Sequence, residues 1–179
     1  IIEDILDLYQ GLLIPYMKVL RDLPFPGDSI RKETDGEHAF MLAMVAITLA
    51  ERLKLPLDHG KLAKYSLIHD LVEAHAGDVS ARSSEAEQLV KIDREHEAFL
   101  VIKQRYAKTT PWIPKLIELY EAKGDEESKF VYAVDKQMGS YSWIAGGGKG
   151  WLDTYPEPEG SGYHLVVKRL RKKAAAYPD

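Results

Sequence analysis

The sequence predicts an all-α protein, a helical bundle in a single domain. Apolar residues recur with helical spacing along most of the chain. No stretch shows the alternation of apolar and polar residues that is typical of a strand, and there is no internal repeat. The length of 179 residues suits one ordinary domain, which buries roughly two thirds of the surface of the unfolded chain.

Prolines, glycines and capping residues mark where the predicted helices begin and end. A first helix is expected over residues 1–23, with Gly11 and Pro15 as kinks, before the Pro-rich segment 24–28 breaks it. A central, buried helix follows over residues 35–54 because that stretch is apolar nearly all round. The remaining expected helices are 58–75 with Asp58 as its cap and Gly77 just beyond, 85–106 capped by Ser83 or Ser84, 111–124 and 126–144.

The last part of the chain differs from the rest in composition. Glycine and proline concentrate between residues 146 and 163, which predicts a loop that could serve as a lid or an oligomer contact. Residues 164–179 are predicted to form a basic helix that packs on the same domain. The core of the domain is therefore expected within residues 1–145.

Composition and charge argue against several classes of protein. A net charge of -4 argues against a dedicated nucleic-acid binder, and the absence of cysteine excludes disulfides and thiolate metal sites. The longest uncharged apolar run, residues 39–50, is shorter than the roughly 20 residues of a membrane-spanning helix. Because the first residues also lack the pattern of a signal peptide, we expect a cytoplasmic protein without membrane or nucleic-acid partners.

Polar residues interrupt one of the predicted helices near its C-terminal end. His69 and Asp70 follow an apolar pair in a helix that otherwise points to the core. Burying such a pair is costly unless both side chains are paired or bind a metal. Glu73 lies one helical turn further on, over the same surface. Three side chains capable of metal binding or proton transfer thus fall within one turn.

Two further polar residues stand in apolar segments of other predicted helices. His38 enters the run that ends at residue 50, and Asp135 ends the segment 130–135. Each alone could be an ordinary core residue, bonded to a carbonyl or paired with Lys136. If the three helices pack together, however, they supply two imidazoles and two carboxylates for one divalent cation. This donor set suits Zn, Mn, Fe, Co or Ni.

The order His38, His69-Asp70, Asp135 resembles the H…HD…D pattern of the HD-domain metal-dependent phosphohydrolases, an all-helical superfamily. The segment His-Asp-Leu-Val-Glu-Ala-His-Ala-Gly-Asp at 69–78 closely resembles the His-Asp-x-x-Glu-x-x-x-Gly-Asp of its 5′-deoxynucleotidase branch. Glu37-His38, the Lys-Phe-Val at 129–131 and Asp135-Lys136 are similar to that branch as well. The resemblance covers the predicted core, residues 1–145.

The resemblance implies an HD-domain helical bundle that binds one divalent metal, whose identity (Zn, Mn, Co, Fe, Ni or Mg) stays open. The implied ligands are His38, His69, Asp70 and Asp135. Such a metal would lower the pKa of its water, supplying a hydroxide nucleophile, and would neutralise charge on the phosphoryl oxygens.

The resemblance also implies roles for residues around the metal. Glu73 would orient the metal water or take its proton, and Asp78 would protonate the leaving 5′-oxygen or hold the sugar. A basic residue upstream of the first His meets the phosphate in that family, for which Arg21 and Arg31 are the candidates. Bacterial members place a Trp after this Arg, but Asp22 stands here, so the sugar preference stays open.

The implied function is hydrolysis of (deoxy)nucleoside 5′-monophosphates to nucleoside and phosphate by a homodimer or higher homo-oligomer. A nucleoside triphosphate hydrolase on the same scaffold is an alternative, with Arg82, Lys91 and Arg94 as extra phosphate contacts. A non-catalytic nucleotide-binding protein is a second alternative, against which the complete set of predicted ligands argues.

Overall fold

The computed structural model describes residues 1–80 and 83–145. Arg82, the predicted loop 146–163 and the predicted basic helix 164–179 lie outside the described residues. The helices, in chain order, are α1 (Ile2–Leu8), α2 (Ile14–Tyr16), α3 (Asp35–Arg52), α4 (His59–Ile68), α5 (Glu73–Ala76), α6 (Glu85–Tyr106), α7 (Trp112–Ala122) and α8 (Glu126–Ala145). Tyr9–Leu13 form a π-helical segment, and β1 (Leu20–Phe25) pairs with β2 (Asp28–Thr34). The prediction of an all-α single domain is confirmed.

Side-chain caps fix the starts of the long helices where the sequence predicts them. Asp58 accepts a hydrogen bond from the backbone of Lys61 at the start of α4. Ser84 caps α6 and forms a reciprocal capping box with Glu87. Thr34 and Glu37 form the same box at the start of α3, which links the end of β2 directly to that helix.

The first prediction that the structure corrects is a helix over residues 1–23. The helical segments end at Tyr16, and the chain then forms an antiparallel hairpin. Pro26 and Gly27 make its turn, where Gly27 adopts a φ of 83°, a conformation that side chains disfavour. The hairpin could not be predicted from the sequence, because Pro24 stands within β1 and the strands show no regular alternation of burial. The register of the two strands also shifts on either side of Pro24.

The second correction concerns the predicted helix 58–75, which is broken after Ile68. The backbone of Leu71 bonds to Ile68, and that of Glu73 bonds to Asp70, three residues back in each case. These tight turns separate α4 from the short α5, which ends at Gly77 with a φ of 73°. The break therefore falls at the His-Asp pair that the sequence analysis singles out.

Helix α3 lies against α4 and α8, and together they form the centre of the bundle. The buried face of α3 presents Leu42, Ala46 and Ala50 to this core. The prediction of a central, buried helix is only partly met, since Phe40 and Met44 on the other face of α3 are exposed. None of the described helices has both the length and the apolar composition needed to cross a membrane.

Candidate metal centre

Three predicted metal ligands from three separate helical elements meet in the core. His38 lies in the first turn of α3, His69 directly follows α4, and Asp135 lies midway along α8. Because α4 and α8 both pack on α3, these side chains converge. One ligand atom from each lies within 4.8 Å of the others, and all three residues are buried. The structure thus contains a compact group of two imidazoles and one carboxylate.

His38 is held between two carboxylates. Its Nε2 lies 3.0 Å from Oδ1 of Asp135, and its Nδ1 lies 2.9 Å from Oε1 of Glu33. Burial lowers the pKa of His38, but the hydrogen bonds to Asp135 and Glu33 outweigh it and raise that pKa to about 9. Burial likewise raises the pKa of Asp135, yet the charge of Lys136 and the bond to His38 hold it well below its ordinary value.

The second imidazole has a nitrogen available for a cation. Nδ1 of His69 lies 2.8 Å from the carbonyl oxygen of Ser66 and donates its proton there, which leaves the lone pair on Nε2. That buried Nε2 has no hydrogen-bond partner among the residues the structure describes. It lies 3.0 Å from Oδ2 of Asp70 and 3.8 Å from Oδ1 of Asp135. A buried lone pair facing two carboxylates fits a divalent cation, which would satisfy all three groups.

Asp70, the fourth predicted ligand, lies beside the compact group and is bound by an arginine. Nη1 of Arg21, on β1, donates to Oδ2 of Asp70 at 2.9 Å and to Oδ1 of Asp35 at 3.1 Å. Burial raises the pKa of Asp70, but its neighbours His69 and Arg21 hold it well below its usual range. The structure therefore brings Arg21, predicted to meet a phosphate, to the edge of the candidate centre.

The two predicted proton-transfer residues share a lysine. Nζ of Lys91, on α6, lies 2.9 Å from Oε1 of Glu73 and 4.0 Å from Oδ1 of Asp78. Asp78 also accepts a hydrogen bond from the backbone of Asp22, on β1, at 3.3 Å. Burial raises the pKa of Glu73 to about 10, even though Lys91 opposes the shift. A cation bound nearby would lower this pKa again.

Arg31 is the predicted site residue that the structure does not bring to this centre. It is exposed, and its guanidinium bonds to Glu37 at 2.8 and 2.9 Å. The same group lies 3.8 Å from the centre of the Phe25 ring. Its role in phosphate binding stays a prediction, and the geometry favours Arg21 for that role.

Glu33, Asp35 and Lys136 belong to the site without having been predicted from the sequence. Glu33 and Asp35 flank the junction between β2 and α3, so only the strand pairing places them next to His38 and Arg21. Lys136 contacts Oδ2 of Asp135, and its side chain is a third exposed. Two signals were available for it, namely its position next to a predicted ligand and the similarity of the pair Asp135-Lys136 to the family.

Comparisons with known proteins bear on the family and the fold of this chain. The model of the HD domain family matches residues 18–158, well over half of the chain. A predicted metal-dependent phosphohydrolase from Magnetospirillum magnetotacticum is 24% identical, with a TM-score of 0.71 over 99% of this chain and 89% of that one. At that identity the likeness shows the fold.

A conserved hypothetical protein from Pyrococcus furiosus is 25% identical, with a TM-score of 0.60 over 93% of this chain and 99% of that one. No curated protein matches. The family match spans the hairpin, the His-Asp pair and Asp135, which are the parts that build the candidate centre. The chain belongs to the HD domain family.

Proposed function

We propose that this protein is a metal-dependent phosphohydrolase that releases phosphate from nucleoside 5′-monophosphates. The observation that carries the proposal is the convergence of His38, His69 and Asp135 within 4.8 Å, with the guanidinium of Arg21 bonded to the adjacent Asp70. The solved relative from Magnetospirillum magnetotacticum, which bears the name of a predicted metal-dependent phosphohydrolase, supports the same class of reaction.

The charges around the compact group suit a cation and a phosphate together. Acidic side chains face both imidazoles: Glu33 and Asp135 contact His38, and Asp70 lies beside His69. When bound, a divalent metal supplies Lewis acidity toward a phosphoryl oxygen and acidifies a water molecule. His38, His69 and Asp135 would hold this metal, with Asp70 as the fourth ligand.

Two cations lie where a phosphate group would need them. Arg21 and Lys136 each contact a carboxylate of a proposed ligand, Asp70 and Asp135 respectively. Their side chains are 16% and 33% exposed, whereas the imidazole of His69 is 1% exposed. Both cations are therefore more accessible than that imidazole, and they would bind and orient the phosphoryl oxygens.

Glu73 and Asp78 would handle the protons of the reaction. Lys91 fixes the carboxyl of Glu73 and lies close to that of Asp78, which places both acids in one small network. Glu73 would orient the attacking water and accept its proton once a bound cation has lowered the pKa of this buried acid. Asp78 would protonate the leaving 5′-oxygen or hold the sugar.

The contacts of α6 favour a monophosphate over a triphosphate. Lys91 bonds to Glu73 and lies 3.3 Å from Glu95, and Arg94 donates to the carbonyl oxygen of Ala76. Lys91 and Arg94, which could have held additional phosphates, are thus already bonded to other residues of this chain.

A panel of nucleoside mono-, di- and triphosphates tests the substrate class. The full chain is incubated with each nucleotide in the presence of Mn²⁺, Co²⁺, Zn²⁺ or Mg²⁺, and the released species is identified as phosphate, diphosphate or triphosphate. We expect release of inorganic phosphate from 5′-monophosphates. Release of triphosphate, with monophosphates untouched, would assign the alternative activity instead.

The variant Asp70→Ala tests the site itself. Removing this carboxylate takes away a ligand and leaves Arg21 without one of its two partners, so we expect phosphate release to fall at least 100-fold. Asp93→Ala is the matched control, because Asp93 is exposed on α6. If Asp70→Ala keeps the activity of Asp93→Ala, the site is not where we place it.

A further inference from the structure

We propose that Glu33 is a positioning residue that fixes His38 with its Nε2 facing the candidate metal centre. The inference rests on the proposed metal binding and extends it to a residue outside the predicted ligand set. Oε1 of Glu33 lies 2.9 Å from Nδ1 of His38, while Nε2 on the far side of the same ring lies 3.0 Å from Asp135. When a metal replaces the proton on Nε2, the proton held on Nδ1 keeps the lone pair on Nε2, the nitrogen that points at the other ligands.

The burial of Glu33 is difficult to explain by structural stability alone. Its side chain is 1% exposed, and a carboxylate at such a position costs free energy unless it is paired. Among the residues the structure describes, no lysine or arginine forms an ion pair with Glu33, and its Oε2 has no hydrogen-bond partner. The contact with His38 is thus the interaction that compensates this buried charge.

The neighbours of Glu33 along β2 make contacts near the surface, whereas the side chain of Glu33 is buried. Arg31 pairs with Glu37, and Lys32 pairs with Asp22 across the hairpin, and these contacts lie near the surface. Thr34 caps α3. Between them the strand directs Glu33 inward, onto a ring that α3 carries in its first turn. The hairpin register therefore determines which nitrogen of His38 is available.

A carboxylate that holds the second nitrogen of a metal-binding histidine raises the basicity of the ligand and fixes the ring. Removing such a partner reduces metal affinity by about 10–100-fold in proteins. Glutamine at position 33 would keep an oxygen that can accept the Nδ1 proton but would lose the charge, whereas alanine would lose both. The two substitutions should therefore have graded effects.

The test measures Zn²⁺ affinity, by competition with a chromophoric chelator, for the full chain and for Glu33→Gln and Glu33→Ala. We expect Glu33→Ala to weaken binding by about 10–100-fold and Glu33→Gln to weaken it less. Glu37→Gln is the matched control, since Glu37 lies in the adjoining turn but bonds to Arg31 and Thr34. Its affinity should stay within about twofold of the unmodified chain.

A spectroscopic measurement separates positioning from a general loss of structure. In the ¹H–¹⁵N spectrum of the Zn²⁺-loaded chain, the Nδ1 proton of His38 should be shifted downfield by its hydrogen bond to Glu33, and Glu33→Ala should move that signal upfield while the signals of His69 persist. Equal Zn²⁺ affinity in all variants, or an unchanged His38 signal in Glu33→Ala, would overturn the inference.

The outcomes also separate this inference from the proposed function. If Zn²⁺ binding depends on Glu33 but no nucleotide is hydrolysed, the role of Glu33 stands and the proposed reaction is wrong. If the unmodified chain does not bind Zn²⁺, the role of Glu33 is wrong as well.

Discussion

The helices and the hairpin contribute different kinds of residue to the same centre. The helical elements carry the groups that could ligate a metal, namely His38, His69 and Asp135. The hairpin carries groups that bind to those side chains, with Glu33 on His38 and Arg21 on Asp70. The helical part thus supplies donors, and the hairpin determines their orientation and charge.

This difference explains why one part of the site is visible in the sequence and the other is not. A polar residue inside an apolar helical run stands out because the period of the helix is known in advance. The face occupied by a residue on a short, irregular strand cannot be predicted in this way, because a shift of register by one residue reverses that face. Substitutions in the hairpin should therefore reveal functions that the helical pattern does not predict.

Among substitutions in the hairpin, the largest loss of activity is expected for Arg21→Gln. The substitution removes the guanidinium that bonds to Asp35 and Asp70 and that would contact the phosphate. We expect kcat/KM for a nucleoside monophosphate to fall about 100-fold, equivalent to about 3 kcal/mol. Steady-state kinetics measures this loss, and urea unfolding checks that the variant folds.

Arg31→Gln is the control within the same hairpin. Because Arg31 is exposed and pairs with Glu37, its replacement should change kcat/KM by less than about threefold. Equal losses in the two variants would show that the hairpin acts as a whole, and a larger loss for Arg31→Gln would move phosphate binding to that residue.

A smaller effect is expected for Lys136→Gln, on the helical side of the centre. Lys136 contacts Asp135 and is partly exposed, so its charge would attract the phosphate without fixing its geometry. We expect KM to rise about 10-fold with little change in kcat. Lys129→Gln on the same helix, where Lys129 pairs with Glu126 at the surface, should leave KM unchanged. A drop in kcat alone would contradict the binding role.

The last prediction concerns the stability of the folded chain rather than its activity, namely the pH dependence of the contact between Asp35 and the hairpin. Burial raises the pKa of Asp35 from 3.8 to about 6, although Arg21 opposes the shift. The folded state therefore binds a proton that the unfolded state releases, and the contribution of Asp35 to stability is lost as pH rises toward 6.

This dependence can be measured as the difference in free energy of unfolding between the metal-free chain and Asp35→Asn. The difference should decline by at most about 3 kcal/mol as pH rises from about 4 to about 7. Urea unfolding at several pH values provides the measurement. A difference that grows with pH would mean that the charged form of Asp35 is the one favoured by folding.

The helical bundle could be predicted because its signals are local. Asp58 and Ser84 begin helices where the sequence places caps, and Gly77 lies just beyond the end of α5. The hairpin could not be predicted, since Pro24 interrupts β1 and its polar partner strand lacks an apolar face. The break between α4 and α5 was also hidden, because the sequence there continues the helical spacing.

The same distinction holds within the site. The order of His38, His69, Asp70 and Asp135 indicated which side chains would meet, and the structure brings three of these into one compact group. The sequence could not show that Arg21 would already hold Asp70, or that Glu33 would lie against His38. The contact of Arg21 with Asp70 joins residues 49 positions apart and depends on tertiary packing, whereas that of Glu33 with His38 depends on how β2 meets α3.

The central claim is that His38, His69 and Asp135 bind one divalent metal ion. Elemental analysis of the purified full chain, after dialysis against buffer containing Zn²⁺ and then against metal-free buffer, tests this most directly. We predict about one equivalent of metal per chain, and a near-complete loss of it in Asp135→Ala. A chain that retains no metal, or an Asp135→Ala variant that retains as much as the unmodified chain, would contradict the account.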